Sequence, residues 1–165
     1  MLQMGLFRKN KYKGLLPIVC DVDLERYLGT WYEIARYPHR FEKGLEQVTA
    51  TYQQKRNGKI RVINQGVKKG VSKSVTGTAW VEDGDCTGRL LVRFFPPFKS
   101  PYNIVKVDQD SYQYALVVGR KKKAMWILSR SPIMDKKLYK ELVDFAVSLG
   151  FKKRKIRKVN QNPDG

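Results

Sequence analysis

Histidine is nearly absent from this 165-residue chain, cysteine is scarce, and acidic side chains are outnumbered two to one by basic ones. A single His (His39) and two Cys (Cys20, Cys86) leave little material for a metal centre or for His-based catalysis. Neither a metal nor a cofactor is therefore expected. There is no Gly-x-Ser-x-Gly and no set of paired metal ligands. His39 follows Pro38 near a loop and is expected to be exposed rather than catalytic. The residues give no reason to expect an enzyme.

Long apolar runs are also missing. No stretch approaches the roughly 20 residues a membrane helix needs. Near the start, Leu15, Leu16, Pro17, Ile18 and Val19 are too few for the apolar core of a secretory signal. Cys20 follows Pro17-Ile18-Val19, without the small residue that usually precedes a lipidated cysteine. The chain as written is expected to be cytoplasmic or peripheral to a membrane. Residues 1–21 read as a poorly ordered extension, residues 22–160 as one domain, and 161–165 as a tail.

Positive charge, by contrast, is abundant. Lys and Arg number 33 against 15 Asp and Glu, for a net charge of +18. Such an excess attracts polyanions: nucleic acid, an anionic membrane surface or acidic ligands. The plain alternative is a generic solvated basic surface.

The middle of the chain reads as strand after strand, with a turn signal about every 8 to 12 residues. The expected strands are 30–37, 47–55, 60–67, 73–81, 88–95, 102–107, 112–119 and 124–131. Breakers separate them: Pro38, Asn57-Gly58, Lys68-Lys69-Gly70, Asp83-Gly84-Asp85, Pro96-Pro97, Asp108 to Ser111, Arg120 to Lys123, and Pro132. Such a meander removes its exposed edges by closing on itself, and eight strands enclose room for side chains or for one small ligand. The fold class expected is all-β: an eight-stranded antiparallel up-and-down barrel. One helix follows, N-capped by Asp135, with Leu138, Leu142, Val143, Phe145, Ala146 and Leu149 at helical spacing and Gly150 at its end. It should pack outside the barrel, followed by a short last strand near residues 156–159.

Three segments occur in a recognisable order. Leu24 to Arg36 contains Gly29-Thr30-Trp31, Asp110 to Val117 lies between the sixth and seventh strands, and Trp126-Ile127-Leu128-Ser129-Arg130 ends the eighth. Together they resemble the signatures of the lipocalin family over roughly residues 22–160, most nearly those of the bacterial lipocalins and apolipoprotein D. The resemblance implies a closed barrel end built from Gly29, Trp31 and Arg130, with the arginine against the tryptophan. It also implies a small hydrophobic or amphiphilic ligand, such as a fatty acid or lysophospholipid, held for storage, transport or membrane maintenance. Relatives are often envelope lipoproteins, which makes the cell envelope the alternative location.

Strand parity, together with the resemblance, puts Ala50, Tyr52, Val62, Asn64, Tyr102, Trp126 and Leu128 on the inner face as ligand-binding candidates. Arg93 joins them if it faces inward toward a ligand carboxylate; otherwise it faces solvent. Alternate loops share one end of such a barrel. Arg40, Lys43, Lys68, Lys69, Lys73, Lys99, Arg120, Lys121, Lys122 and Lys123 therefore form a basic rim around the mouth, while Asp83, Asp85, Asp108 and Asp110 gather at the closed end. The rim suits anionic lipid head groups or acidic amphiphiles, and a monomer or weak homodimer is expected.

Cys20 and Cys86 should both lie at the closed end. A disulfide is conceivable there, but without an export signal two free thiols are expected. The competing reading is a basic barrel that binds nucleic acid, motivated by the charge and nine tyrosines. Such proteins interleave aromatics and cations on one exposed sheet face, whereas the aromatics here fall on the expected inner faces.

Overall fold

A computed structural model describes residues 15–38, 43–82, 84–120 and 123–162. His39, Arg40, Asp83, Lys121 and Lys122 lie outside the described residues, as do 1–14 and 163–165. The elements in chain order are helical turn α1 (Leu24–Tyr27), then β1 (Gly29–Arg36), β2 (Glu46–Gln54), β3 (Ile60–Lys68) and β4 (Val71–Val81). There follow β5 (Arg89–Arg93), β6 (Ser100–Val107), β7 (Tyr114–Val118), β8 (Met125–Ser129), helix α2 (Lys136–Ser148) and the short β9 (Arg157–Lys158).

Strands β1 to β8 pair antiparallel with their neighbours in sequence, and β1 pairs with both β2 and β8. The sheet is thus closed, and no barrel strand carries a free edge. Strand β9 adds outside this ring, antiparallel to the end of β1, with Arg157 opposite Arg36. The eight-stranded barrel, the external helix and the short last strand all match the expectation.

Local chemistry sets the boundaries. Between β3 and β4, Lys69 and Gly70 both take positive φ (51° and 75°). That two-residue turn matches the twist of the flanking strands, so β4 starts earlier than the composition suggested. Strand β5 is shorter than expected and stops before Phe94, where the Phe-Phe-Pro-Pro run leaves the ladder. Helix α2 begins where Asp135 accepts a hydrogen bond from the Leu138 amide at 3.0 Å. It ends in a Schellman motif: Phe151 N donates to the Ala146 carbonyl, Gly150 N donates to that of Val147, and Gly150 holds φ 107°.

Two apolar clusters follow from strand parity. One fills the barrel and includes Trp31, Tyr52, Val62, Leu90, Ile104, Val117 and Leu128. The other joins outward residues Leu116, Val118, Met125 and Ile127 to Leu142, Val143 and Ala146 of α2. The helix thus shields one side of the barrel wall, burying its apolar stripe as a surface helix must.

The expectation of free thiols is corrected. Cys20 and Cys86 form a disulfide, with Cα atoms 4.0 Å apart. The reason is local packing. Residues 15–21 are held along the closed end, with Val19 N donating to the Ile104 carbonyl and Thr87 N to that of Cys20. Gly88 allows this approach: a Cβ there would sit 2.0 Å from the Val19 carbonyl oxygen.

Candidate functional site

The closed end is a sealed floor. Trp31 has no exposed surface, and its indole N–H donates to the Tyr27 carbonyl at 2.8 Å. The Arg130 guanidinium lies 3.8 Å from the Trp31 ring centre and donates to the carbonyls of Tyr112, Thr30 and Arg26. Gly29 takes φ 98°, and a Cβ there would lie 3.2 Å from Arg130 Nη1. The left-handed conformation favours glycine here, and the missing Cβ eases the approach of Arg130. Tyr112 adds a second cation contact, with Arg26 4.6 Å above its ring.

Above this floor, three phenols meet. Tyr102 Oη lies 2.6 Å from Tyr27 Oη and 2.7 Å from Tyr52 Oη. Tyr27 also packs 5.0 Å from Trp31, centre to centre. Desolvation by the surrounding protein raises the Tyr27 and Tyr102 phenols well above their ordinary value, and their mutual proximity raises Tyr102 further. Tyr27 and Tyr102 are thus neutral hydrogen-bonding groups at the bottom of the barrel.

The sequence-derived inner set comes together. Ala50 pairs with Asn64 and Tyr52 with Val62 across β2 and β3, Tyr102 pairs with Leu90, Trp126 with Arg36, and Leu128 with Glu33. Residues directly opposite share a face. Tyr52, Val62 and Leu128, low in the barrel, are buried. Asn64, Val75, Gly77, Val92, Phe94 and Trp126, nearer the mouth, keep part of their surface accessible. The lower barrel is filled by side chains, and the accessible inner surface lies in the upper half. Two glycines shape that half. Gly77 leaves room for the Phe94 ring, and Gly119 for the Ala124 methyl beside Trp126.

Arg93 is not with them. It pairs with Thr78 on the outer face and stacks over Trp80, 5.5 Å from the ring centre. Leu90, Val92 and Phe94 take the inward side instead. The inward placement of Arg93 is therefore corrected: its register opposite Thr78 turns it to the outer face, where the Trp80 indole offers the guanidinium a cation–π partner.

The inner face carries charge that the sequence reading missed. Glu33 and Arg36 are both buried, with Arg36 Nη1 3.3 Å from Glu33 Oε1 and Nη2 donating to the Leu45 carbonyl at 2.9 Å. A register shift between Glu33 and Ala35 turns both side chains inward although they stand three apart. Counting in twos from Trp31 would have found Glu33; nothing in the pattern marks the bulge that brings Arg36 in.

At the mouth, Lys43, Lys69, Lys99, Arg120 and Lys123 are exposed in the loops after β1, β3, β5 and β7, and Lys68 and Lys73 are exposed at the mouth ends of β3 and β4. Arg120 ties two of these loops together by donating to the Lys99 carbonyl. Among them stand apolar side chains that the sequence reading did not single out. Phe98 is 76% exposed, Phe95 63% and Val71 54%.

A barrel sealed at one end and lined by apolar and aromatic groups with a few polar points has the architecture of small-molecule-binding barrels. Comparison with known proteins agrees. The Lipocalin-like domain model matches residues 22–161, and the chain belongs to this family, whose members bind small hydrophobic ligands. It is similar to the outer membrane lipoprotein Blc of Escherichia coli K12, 41% identical over 148 residues covering 88% of this chain and 83% of that protein. Temperature-induced lipocalin-1 of Arabidopsis thaliana is 35% identical over 159 residues, covering 91% of this chain and 85% of its own. Mouse apolipoprotein D is 32% identical over 154 residues, covering 88% and 80%. Among solved structures, insecticyanin of the tobacco hornworm superposes with a TM-score of 0.73 at 22% identity, covering 90% of this chain and 86% of that one. That likeness is one of fold.

Proposed function

We propose that the barrel holds one lipid amphiphile, a fatty acid, lysophospholipid or similar molecule, with its chain in the upper barrel and its head at the basic mouth. The protein would serve lipid storage, transport or membrane maintenance. The observation that carries this reading is the inner face above the phenol cluster, where Val75, Val92, Phe94 and Trp126 remain accessible beside Asn64. An alkyl chain placed there gains about 0.8 kcal/mol for each methylene removed from water. The name of the E. coli relative, an outer membrane lipoprotein, fits a lipid setting.

Native mass spectrometry of protein purified without detergent tests this reading. One bound lipid per chain is expected. A protein that carries no lipid and takes up neither oleate nor lysophospholipid on titration would refute it.

A second element concerns where the lipid is met. Phe95, Phe98 and Val71 project among exposed lysines at the mouth. Apolar tips set among cations suit shallow insertion into an anionic bilayer, each nearby cation adding about 1 kcal/mol. The mouth would then face the membrane from which the ligand comes.

A further inference from the structure

The outer wall just below the mouth carries a second concavity, separate from the barrel interior. It is an open depression of about 420 Å³, lined among the described residues by Tyr37, Pro38, Lys123, Lys155 and Arg157. Three segments converge on it. Tyr37 and Pro38 follow β1 as the chain leaves toward the mouth, Lys123 belongs to the turn between β7 and β8, and Lys155 and Arg157 lie on the segment that returns beside β1.

Its chemistry is one-sided. Of the five described residues that line it, three are cations and none is a carboxylate. Among the described residues, no ion pair engages Lys123, Lys155 or Arg157. Arg157 is nonetheless oriented, because its Nη1 donates to the Arg154 carbonyl. Tyr37 is fixed as well: its ring meets Phe151 edge-on at 4.9 Å, and its hydroxyl accepts from Lys152 N at 2.8 Å. That acceptance leaves the phenolic O–H proton as a donor. Like charges gathered in one concavity repel each other unless an anion neutralises them. A guanidinium, two ammonium groups and a phenol suit the several oxygens of a phosphate better than a single carboxylate. The volume exceeds that of a bare phosphate, and Pro38 with the Tyr37 ring supplies an apolar wall for whatever the phosphate is attached to.

We propose that this cleft is an oxyanion site that takes the phosphate of a phosphate ester, distinct from the ligand site inside the barrel. Arg157 pairs in register with Arg36 of β1, so the cleft adjoins the barrel wall. Phospholipid head groups at a bilayer surface and soluble phosphate esters share this chemistry, and the test separates them.

The variant Lys155→Glu/Arg157→Glu reverses two exposed charges of the cleft. The variant Arg56→Glu/Arg89→Glu makes the same charge change near the closed end, where both residues are exposed. Backbone amide NMR of the full chain is recorded with inorganic phosphate, with glycerol 3-phosphate, and with vesicles of phosphatidylcholine with or without 30% phosphatidylglycerol, a bilayer composition set by the experimenter. Shifts at residues 37, 123, 155 and 157 are expected with the phosphate compounds. Loss of those shifts in the cleft variant, with retention in the control, supports the site. Response to the soluble compounds and to vesicles alike identifies the phosphate group itself as the ligand, whereas response to anionic vesicles alone identifies the head group. Equal behaviour of the two variants, or no response to any probe, overturns the proposal. Native mass spectrometry of the cleft variant reports the barrel ligand separately: retained lipid with lost phosphate shifts means that the two sites are independent, as proposed.

Discussion

The guanidinium carbon of Arg130 lies 3.8 Å from the centre of the Trp31 ring, and the same side chain reaches three backbone carbonyls from Arg26, Thr30 and Tyr112. One residue at the end of β8 thereby fastens α1, the start of β1 and the β6–β7 turn to the barrel floor. Arg130→Ala removes the cation–π contact and three charged hydrogen bonds, one of them to the part-buried Tyr112 carbonyl. A loss of about 2–4 kcal/mol is expected, read as a lower urea midpoint at unchanged slope. Arg130→Lys recovers only part of it, because an ammonium cannot span the three acceptors. A barrel ligand should survive both changes, since the pair lies beneath the phenols.

The disulfide closes a separation of 66 residues. In the chain-entropy account, a loop of that length contributes about 4 kcal/mol by restricting the unfolded chain. Replacing both Cys20 and Cys86 by Ser should lower stability by up to about that amount. Thermal unfolding with and without reductant checks it: the reductant should lower the transition of the parent protein and leave the double variant unmoved.

These two features show what the sequence made legible. Gly29, Trp31 and Arg130 are read easily because each does a job few residue types can do, and their order along the chain matches a family pattern. The barrel itself is legible because turn residues with positive φ, such as Gly58 and Gly70, mark the hairpins. The cysteine pairing is not legible, because it depends on how residues 15–21 cross the closed end. Arg93 is ambiguous because Leu90 to Phe95 is apolar on both faces, so alternation cannot say which side is inside; the register with β4 decides it. Arg36 escapes notice because one bulge inverts the parity after Glu33.

The phenol cluster predicts a distinct alkaline behaviour. Burial holds the folded-state pKa of Tyr27 and Tyr102 well above that of an ordinary phenol. Below the unfolded value of about 10, both states are protonated and the phenols impose no pH dependence. Above it, the unfolded chain loses protons that the folded chain keeps, so stability falls as pH rises. Ultraviolet titration should show tyrosines that ionise only when the barrel unfolds. In Tyr102→Phe, the central hydroxyl is gone, Tyr27 and Tyr52 each lose the hydrogen bond they share with it, and a cost of about 1–3 kcal/mol is expected in urea denaturation at neutral pH.

Glu33 and Arg36 form a buried pair on the inner face, and each is costly without the other. Glu33→Gln removes the carboxylate that lies 3.3 Å from the buried Arg36 guanidinium, and Arg36→Met removes that cation from the buried Glu33 carboxylate. Each single change should destabilise by about 3–5 kcal/mol. The double variant should cost less than the sum, because it leaves no orphaned charge. A double-mutant cycle in urea checks the coupling; simple additivity would mean that water or other groups already compensate each charge.

Phe95 and Phe98 separate insertion from simple attraction at the mouth. Lysines around them bring the protein to an anionic surface, but that attraction fades with salt over a Debye length of about 10 Å at 0.1 M. Apolar insertion does not fade in this way. In Phe95→Ser/Phe98→Ser, partition onto anionic vesicles should fall by about tenfold or more at every salt concentration, since each ring contributes on the order of 1 kcal/mol even when half-inserted. In Lys68→Gln/Lys99→Gln, the loss should be confined to low salt, and the two variants should converge on different limits as salt rises. Vesicle co-sedimentation across a salt series distinguishes them. If the phenylalanine variant matches the parent at high salt, the rings stay in water and the mouth meets the membrane by charge alone.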